Sequence, residues 1–287
     1  MSSMPLFSVA ERGPVVPGSG KPPRGERISP LPALARVIPA SQLEVRPAPE
    51  MVSSGVRELD ALTGGWPRGC LSEICGAASS GRTSVLLAAL AAATERQEAC
   101  ALVDTSDMFD PASAATAGVN FERLLWVRCD SQSKNSPRSH RGTERKLADS
   151  SQMIPAVEQA LRVTDLLLQS GGFGLVVIDL GGVPFHTARR IPLASWFRFQ
   201  RAIEHTPTVL LAITPAPCAQ TCATVLLKLS AISCQPSAEE RDAAEKVPAH
   251  AQLLNGISSE GELLRSRLAK PVRSVRTAFE TNALRTG

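Results

Sequence analysis

The chain has 287 residues, 43% of them hydrophobic and 4% aromatic, with no tyrosine and a formal net charge of +4. That length suits one large domain or one domain with tails, since domains run roughly 100–200 residues. So mild a charge permits contact with nucleic acid without arguing for it, and no stretch approaches the ~20 unbroken apolar residues of a membrane span.

The seven cysteines are odd in number and several sit inside apolar runs, which reads as buried thiols in a reducing compartment rather than a disulfide framework. Cys218 and Cys222 have no second Cys pair or nearby His to complete a zinc site. Residues Met1 to Gly20 lack the basic start and apolar block of a signal peptide. The expected location is cytoplasmic and nucleoid-associated.

Residues 1–50 are dense in Pro, Gly, Ser and Arg, broken only by the apolar piece Leu31 to Ile38. They read as a flexible arm, because such a composition buries too little surface to offset its ordering entropy. Ser54 is placed to cap a short helix through Leu62 that Gly64-Gly65 ends. Pro67-Arg68-Gly69 is a turn. Cys70 to Cys75 is apolar and strand-like, the loop Gly76 to Thr83 follows, and Thr83 to Thr94 is a helix apolar on most sides.

Further along, Ala99 to Asp104 is a strand, Pro111 to Ala117 a short helix opened by proline, and Leu124 to Arg128 a strand. Ser131 to Asp149 is a polar, basic loop holding Arg138, His140, Arg141, Arg145 and Lys146, which either stays solvated or contacts phosphate backbone. Gln152 to Gln169 is an amphipathic helix and Phe173 to Leu180 the most apolar strand. Pro192 to His205 is a helix, whose Trp196, Phe197 and Phe199 read as core or interface residues. Thr208 to Ile213 is a strand, and Thr224 to Leu229 a last, antiparallel one. The alternation implies an α/β core, residues 51–234, with a mostly parallel central sheet flanked by helices. The pattern then fades. Residues 235–287 read as a polar, basic tail carrying Arg265, Arg267, Lys270, Arg273 and Arg276, either solvated or a partner-docking segment.

The loop Gly76-Ala77-Ala78-Ser79-Ser80-Gly81-Arg82-Thr83 has glycine at both ends, the spacing that lets backbone N–H groups curl around phosphate oxygens. Thr83 stands where a hydroxyl would hold Mg²⁺, and the following helix aims its positive end at the loop. The lysine such loops use is replaced by Arg82, which keeps the charge on a bulkier planar fork. Val176-Val177-Ile178-Asp179 carries a carboxylate to a strand end, as the second metal-holding element of such sites does. The candidate nucleotide-binding residues are Gly76, Ser79, Ser80, Gly81, Arg82, Thr83, Ser84 and Asp179, with Thr83 and Asp179 as the Mg²⁺ pair if nucleotide binds.

These residues resemble RecA, and the resemblance extends beyond one motif. It runs from Ser54 to Leu62, through Gly64-Gly65-Trp66-Pro67-Arg68-Gly69 and the phosphate loop, into Cys100 to Asp104, Asp110-Pro111, Ala117-Gly118-Val119 and the Asp179 strand, covering about residues 53–230. It implies a RecA-like P-loop core with flexible N- and C-terminal tails. The departures from the family pattern are informative. Ser106 stands where the resemblance places a catalytic Glu, Ser113 where it places an adenine-stacking Tyr, and Thr214-Pro215 where it places an Asn-Gln pair that couples nucleotide to DNA. The second DNA loop is shortened to about Ala216–Thr221.

Those losses point to a non-hydrolytic member in which ATP/Mg²⁺ binding is weak or absent. A shortened RecA-like core of this kind is similar to the ImuA group of RecA-like, SulA-like accessory proteins. That similarity implies a role in SOS translesion mutagenesis, with an ImuB-like Y-family polymerase homologue and an error-prone C-family polymerase complex as partners, RecA as a further one, and DNA contacted directly or through them. Arg189 and Arg190, after the Asp179 strand, are the candidate DNA contacts. The alternative is an ATP- and single-stranded-DNA-binding recombinase.

Overall fold

The structure, a computed structural model, describes residues 48–129, 150–232, 256–268 and 275–282. The N-terminal arm up to residue 47, the basic run Arg138 to Lys146, Cys234, Lys270 and Arg273 lie outside the described residues.

The elements are β1 (Met51–Val52), α1 (Arg57–Thr63), β2 (Trp66–Pro67), β3 (Leu71–Gly76), α2 (Arg82–Glu95), β4 (Cys100–Asp104), α3 (Pro111–Thr116), β5 (Leu124–Arg128), α4 (Ser150–Ser170), β6 (Leu175–Asp179), α5 (Phe185–Ala188), α6 (Leu193–Ile203), β7 (Val209–Thr214), β8 (Val225–Ala231), β9 (Gly256–Ser266) and β10 (Val275–Asn282). β1 and β2 form a two-stranded ribbon. The main sheet has eight strands in the order β10-β9-β8-β3-β7-β6-β4-β5. Every pair from β8 to β5 is parallel.

The physical basis is direct. Strands β3, β4 and β7 are buried along their whole length, and β6 along all but its last residue, Asp179; buried parallel strands read as continuous apolar runs. One face packs Ile74, Leu102, Val177, Leu211 and Leu227 against Val85, Leu86, Leu90 and Ala93 of α2, and against Leu59 of α1. The other packs Leu71, Val103, Ile178 and Leu210 against Val157 and Ala160 of α4 and Trp196, Phe199 and Ile203 of α6. Trp196 and Phe199 meet edge to face at 6.0 Å, while Phe197 points outward, 51% exposed. No described helix is long and apolar enough to cross a membrane.

Three expectations are corrected. The first helix starts at Arg57, and Ser54 does not cap it; instead Asp60 reaches back to accept from Ser54 N at 2.8 Å and Ser53 Oγ at 2.6 Å. β8 is parallel to β3, not antiparallel. The larger correction concerns the tail: residues 256–266 and 275–282 are the last two strands of the sheet, β9 antiparallel to β8 and β10 to β9. Two described basic residues of that segment serve the sheet. Arg276 donates to Glu262 at 3.2 Å, and Arg265 donates to the Gln220 carbonyl. The inward positions of β9 are Ser259, Gly261 and Leu263, all buried. A Cβ on Gly261 would lie 2.7 Å from Leu59 Cδ2, so α1 can cover β9 only where the strand is small.

Candidate nucleotide site

The loop, Asp104 and Asp179 all lie at the carboxyl ends of parallel strands, where open α/β sheets build their sites. β3 ends at Gly76, the tip Ala77–Ser79 is exposed, and α2 begins at Arg82. Two glycines are sterically required. A Cβ on Gly76 would lie 2.5 Å from both the Leu229 carbonyl and Ser80 Oγ. Gly81 has φ +90°, and a Cβ there would lie 2.5 Å from Ser259 Oγ on β9. The hairpin therefore packs directly on the phosphate loop. The hydroxyl of Ser80 is buried without a hydrogen-bond partner. Thr83 is exposed in the first turn of the 14-residue helix α2, and Ser84 is partly buried.

Arg82 does not serve the loop. Its Nη1 donates to the Thr214 carbonyl at 2.8 Å and its Nη2 to the Gly181 carbonyl at 3.2 Å, tying the end of β7 to the turn after β6. Burial lowers its pKa, opposed by the Asp179 charge. At the end of β6, Asp179 accepts from Gly181 N at 2.8 Å. Burial pushes its carboxyl up to about 6, the Gly181 bond lowers it, Asp104 raises it, and Arg82 lowers it.

At the end of β4, the fully buried Asp104 organises the next turn by accepting from Ser106 N at 3.1 Å, Met108 N at 3.2 Å and Phe109 N at 3.0 Å. Ser106 is packed against Gly182 with its hydroxyl buried and unpartnered. No carboxylate stands there to orient a water. Asp107, one residue on, is bound through both oxygens to Arg128, at 2.6 and 2.5 Å. Ser113 donates through Oγ at 2.6 Å and N at 3.0 Å to Asp110, the N-cap of α3. The position expected to stack on a base is thus a helix-capping partner.

One residue of this region was not singled out from sequence. Glu73, fully buried in β3, accepts from Thr214 Oγ1 at 2.9 Å, Cys218 N at 2.6 Å and Ala219 N at 3.1 Å. Burial raises its pKa, and those three hydrogen bonds oppose the rise. It holds the short connection after β7, the segment matched to a DNA loop. The signal was present, since a lone acid within an apolar strand must find donors.

Burial pushes Cys75, Cys100 and Cys218 up to about 12, and no group of three metal ligands occurs among the described residues. Arg189 and Arg190 are exposed just past α5, with Arg189 over the ring of Phe185 at 5.9 Å and Phe185 itself 48% exposed.

The chemistry divides into two halves. The glycine-bounded loop, the free end of α2, and the hydroxyls of Ser80 and Thr83 are suited to polyphosphate oxygens. In the cation and carboxylate half, Arg82 is bonded inward to two carbonyls, Asp179 accepts one hydrogen bond from Gly181, and Ser106 stands where the resemblance places an acid.

The RecA N-terminal domain family matches residues 39–136. The chain is 34% identical over 132 residues to Protein RecA of Rickettsia canadensis (strain McKiel), covering 45% of this chain and 31% of that protein. It is 33% identical over 132 residues to Protein RecA of Ectopseudomonas oleovorans, with the same coverage. The match thus spans about a third of the length of these curated relatives. In three dimensions the chain is similar to a RadB recombinase, with a TM-score of 0.51 and 18% identity, covering 80% of this chain and 95% of that one.

Proposed function

We propose that this chain, which belongs to the RecA/Rad51-type superfamily, is a non-hydrolysing accessory protein of ImuA type that serves damage-induced translesion mutagenesis through protein partners. The observation that carries this reading is the replacement of the water-orienting acid. Ser106 is packed on Gly182, and the neighbouring carboxylate of Asp107 is held by Arg128. Loss of a positioned general base costs about 10²–10⁴ in rate, so a RecA fold built this way is suited to binding rather than turnover. The partners are an ImuB-like Y-family polymerase homologue and an error-prone C-family polymerase.

The test is co-purification of the full chain with the ImuB-like homologue. Wild type and Asp179→Ala are expected to recover equal amounts of partner, because no nucleotide chemistry is needed. Recovery that requires ATP and is lost in Asp179→Ala would contradict the reading.

A second reading, an ATP- and single-stranded-DNA-binding recombinase, is favoured by the exposed Phe185, Arg189 and Arg190 beside the sheet's carboxyl end. An aromatic face next to cations suits stacked bases and phosphates.

A further inference from the structure

We propose that Arg82 is an autoinhibited phosphate ligand, its cation latched on two strand-end carbonyls from which a polyphosphate must draw it in order to bind tightly. The inference deepens the reading above and rests on the same residues. Arg82 is the first residue of α2, so its side chain can turn toward the loop or toward the strand ends. It takes the second course, with two donors of one planar guanidinium reaching two carbonyls, Thr214 O at 2.8 Å and Gly181 O at 3.2 Å. The fork geometry makes this pairing specific to arginine.

The seat is built on both sides. A Cβ on Gly181 would lie 2.9 Å from Asp179 Oδ1 and 3.3 Å from Arg82 Nη1, so any larger residue there must push the carboxylate and the guanidinium from their places. On the other side, Thr214 is fixed by its hydroxyl donating to Glu73 at 2.9 Å and by its place at the end of β7, paired with Cys75 of β3. Drawing Arg82 out toward a ligand would leave both carbonyls and the Asp179 charge without their cation. Meanwhile the loop's own anion-binding features stay in place, including the orphan hydroxyl of Ser80. Arginine in the lysine position therefore does more than alter the cation's shape, because its fork latches the cation away from the loop.

The experiment is calorimetric titration of the full chain with inorganic tripolyphosphate. Arg82→Lys is expected to bind at least about tenfold tighter than wild type, since breaking two charge-assisted hydrogen bonds costs on the order of one or two decades of affinity. Arg82→Ala removes latch and cation together and is expected to lower the thermal midpoint by about 5 °C, with partial recovery in millimolar methylguanidinium. A folded Arg82→Lys that binds no tighter than wild type overturns the proposal. If the lysine variant does not fold, Gly181→Ala is the second arm: it disturbs the seat while keeping Arg82 and is expected to raise tripolyphosphate affinity, and unchanged affinity there also overturns the proposal. No step of the test reads hydrolysis. Wild-type tripolyphosphate binding as tight as that of Arg82→Lys would sink this inference and leave the accessory reading standing.

Discussion

Ending the chain at Ile232 is expected to abolish the cooperative fold, because the segment removed is part of the sheet. β9 pairs with β8 from Val225 to Ala231 and brings Leu263, 5% exposed, into the core, while β10 brings Phe279, 3% exposed. Their loss would uncover Leu59, Leu227 and Leu229, which are packed in the same cluster, and would leave Gly81 without Ser259 against it. Burying each such side chain stabilises by about 1.5–3 kcal/mol. Five of them amount to on the order of 10 kcal/mol, comparable with the roughly 5–15 kcal/mol that holds a domain together. Thermal melting followed by circular dichroism checks this, and a cooperative transition at the full-length midpoint would contradict it. A partner lost on such a truncation would report unfolding, so docking by this region must be tested with substitutions at exposed positions such as Leu264, 41% exposed.

Glu73→Ala is expected to destabilise by about 4 kcal/mol and to loosen the connection after β7. The substitution strands three buried donors, the amides of Cys218 and Ala219 and the hydroxyl of Thr214. Each unsatisfied group costs about 1–3 kcal/mol; the Thr214 hydroxyl keeps a longer contact with Ile74 O at 3.4 Å, so its share is at the low end. Glu73→Gln retains the shape and two acceptor lone pairs and is expected to cost less than half as much. Denaturant midpoints give the energies, and amide exchange at Cys218 and Ala219 gives the location. Loss of under 1 kcal/mol with those amides still protected would show that Glu73 does not clamp the segment.

The central sheet was legible because its strands are short apolar runs closed by glycine, proline or aspartate. Those that carry the loop and Asp179 are buried on both faces, and such strands advertise themselves by composition. The hairpin at the end was not legible for the opposite reason. Its inward face reads Ser259, Gly261, Leu263, too small and polar to give an alternating apolar signal, yet small side chains are what α1 and the phosphate loop need against them. The direction of β8 was misjudged because the connection from β7 is short, whereas the strand crosses to the far side of β3 to run parallel with it.

At the site, the sequence put the loop between a strand and a helix and Asp179 at a strand end, but could not tell where the side chains point. Ser106 and Ser113 read as losses, and the structure adds what each does instead, packing on Gly182 and holding the cap of α3. Arg82 read as a weaker phosphate ligand, while its guanidinium lies across the ends of two strands. A helix-initial side chain has two directions open to it, and the choice depends on carbonyls 99 and 132 residues away in the chain. Glu73 passed as part of an apolar strand because its partners, in the segment after Thr214, are equally distant in sequence.

The proposed non-hydrolytic role has a direct test. The direct measurement is steady-state ATP turnover by the full chain with Mg²⁺, with and without single-stranded DNA, beside the Asp179→Ala variant. Wild-type rates are expected to match those of the variant under both conditions. DNA-stimulated turnover that disappears on Asp179→Ala would contradict that role.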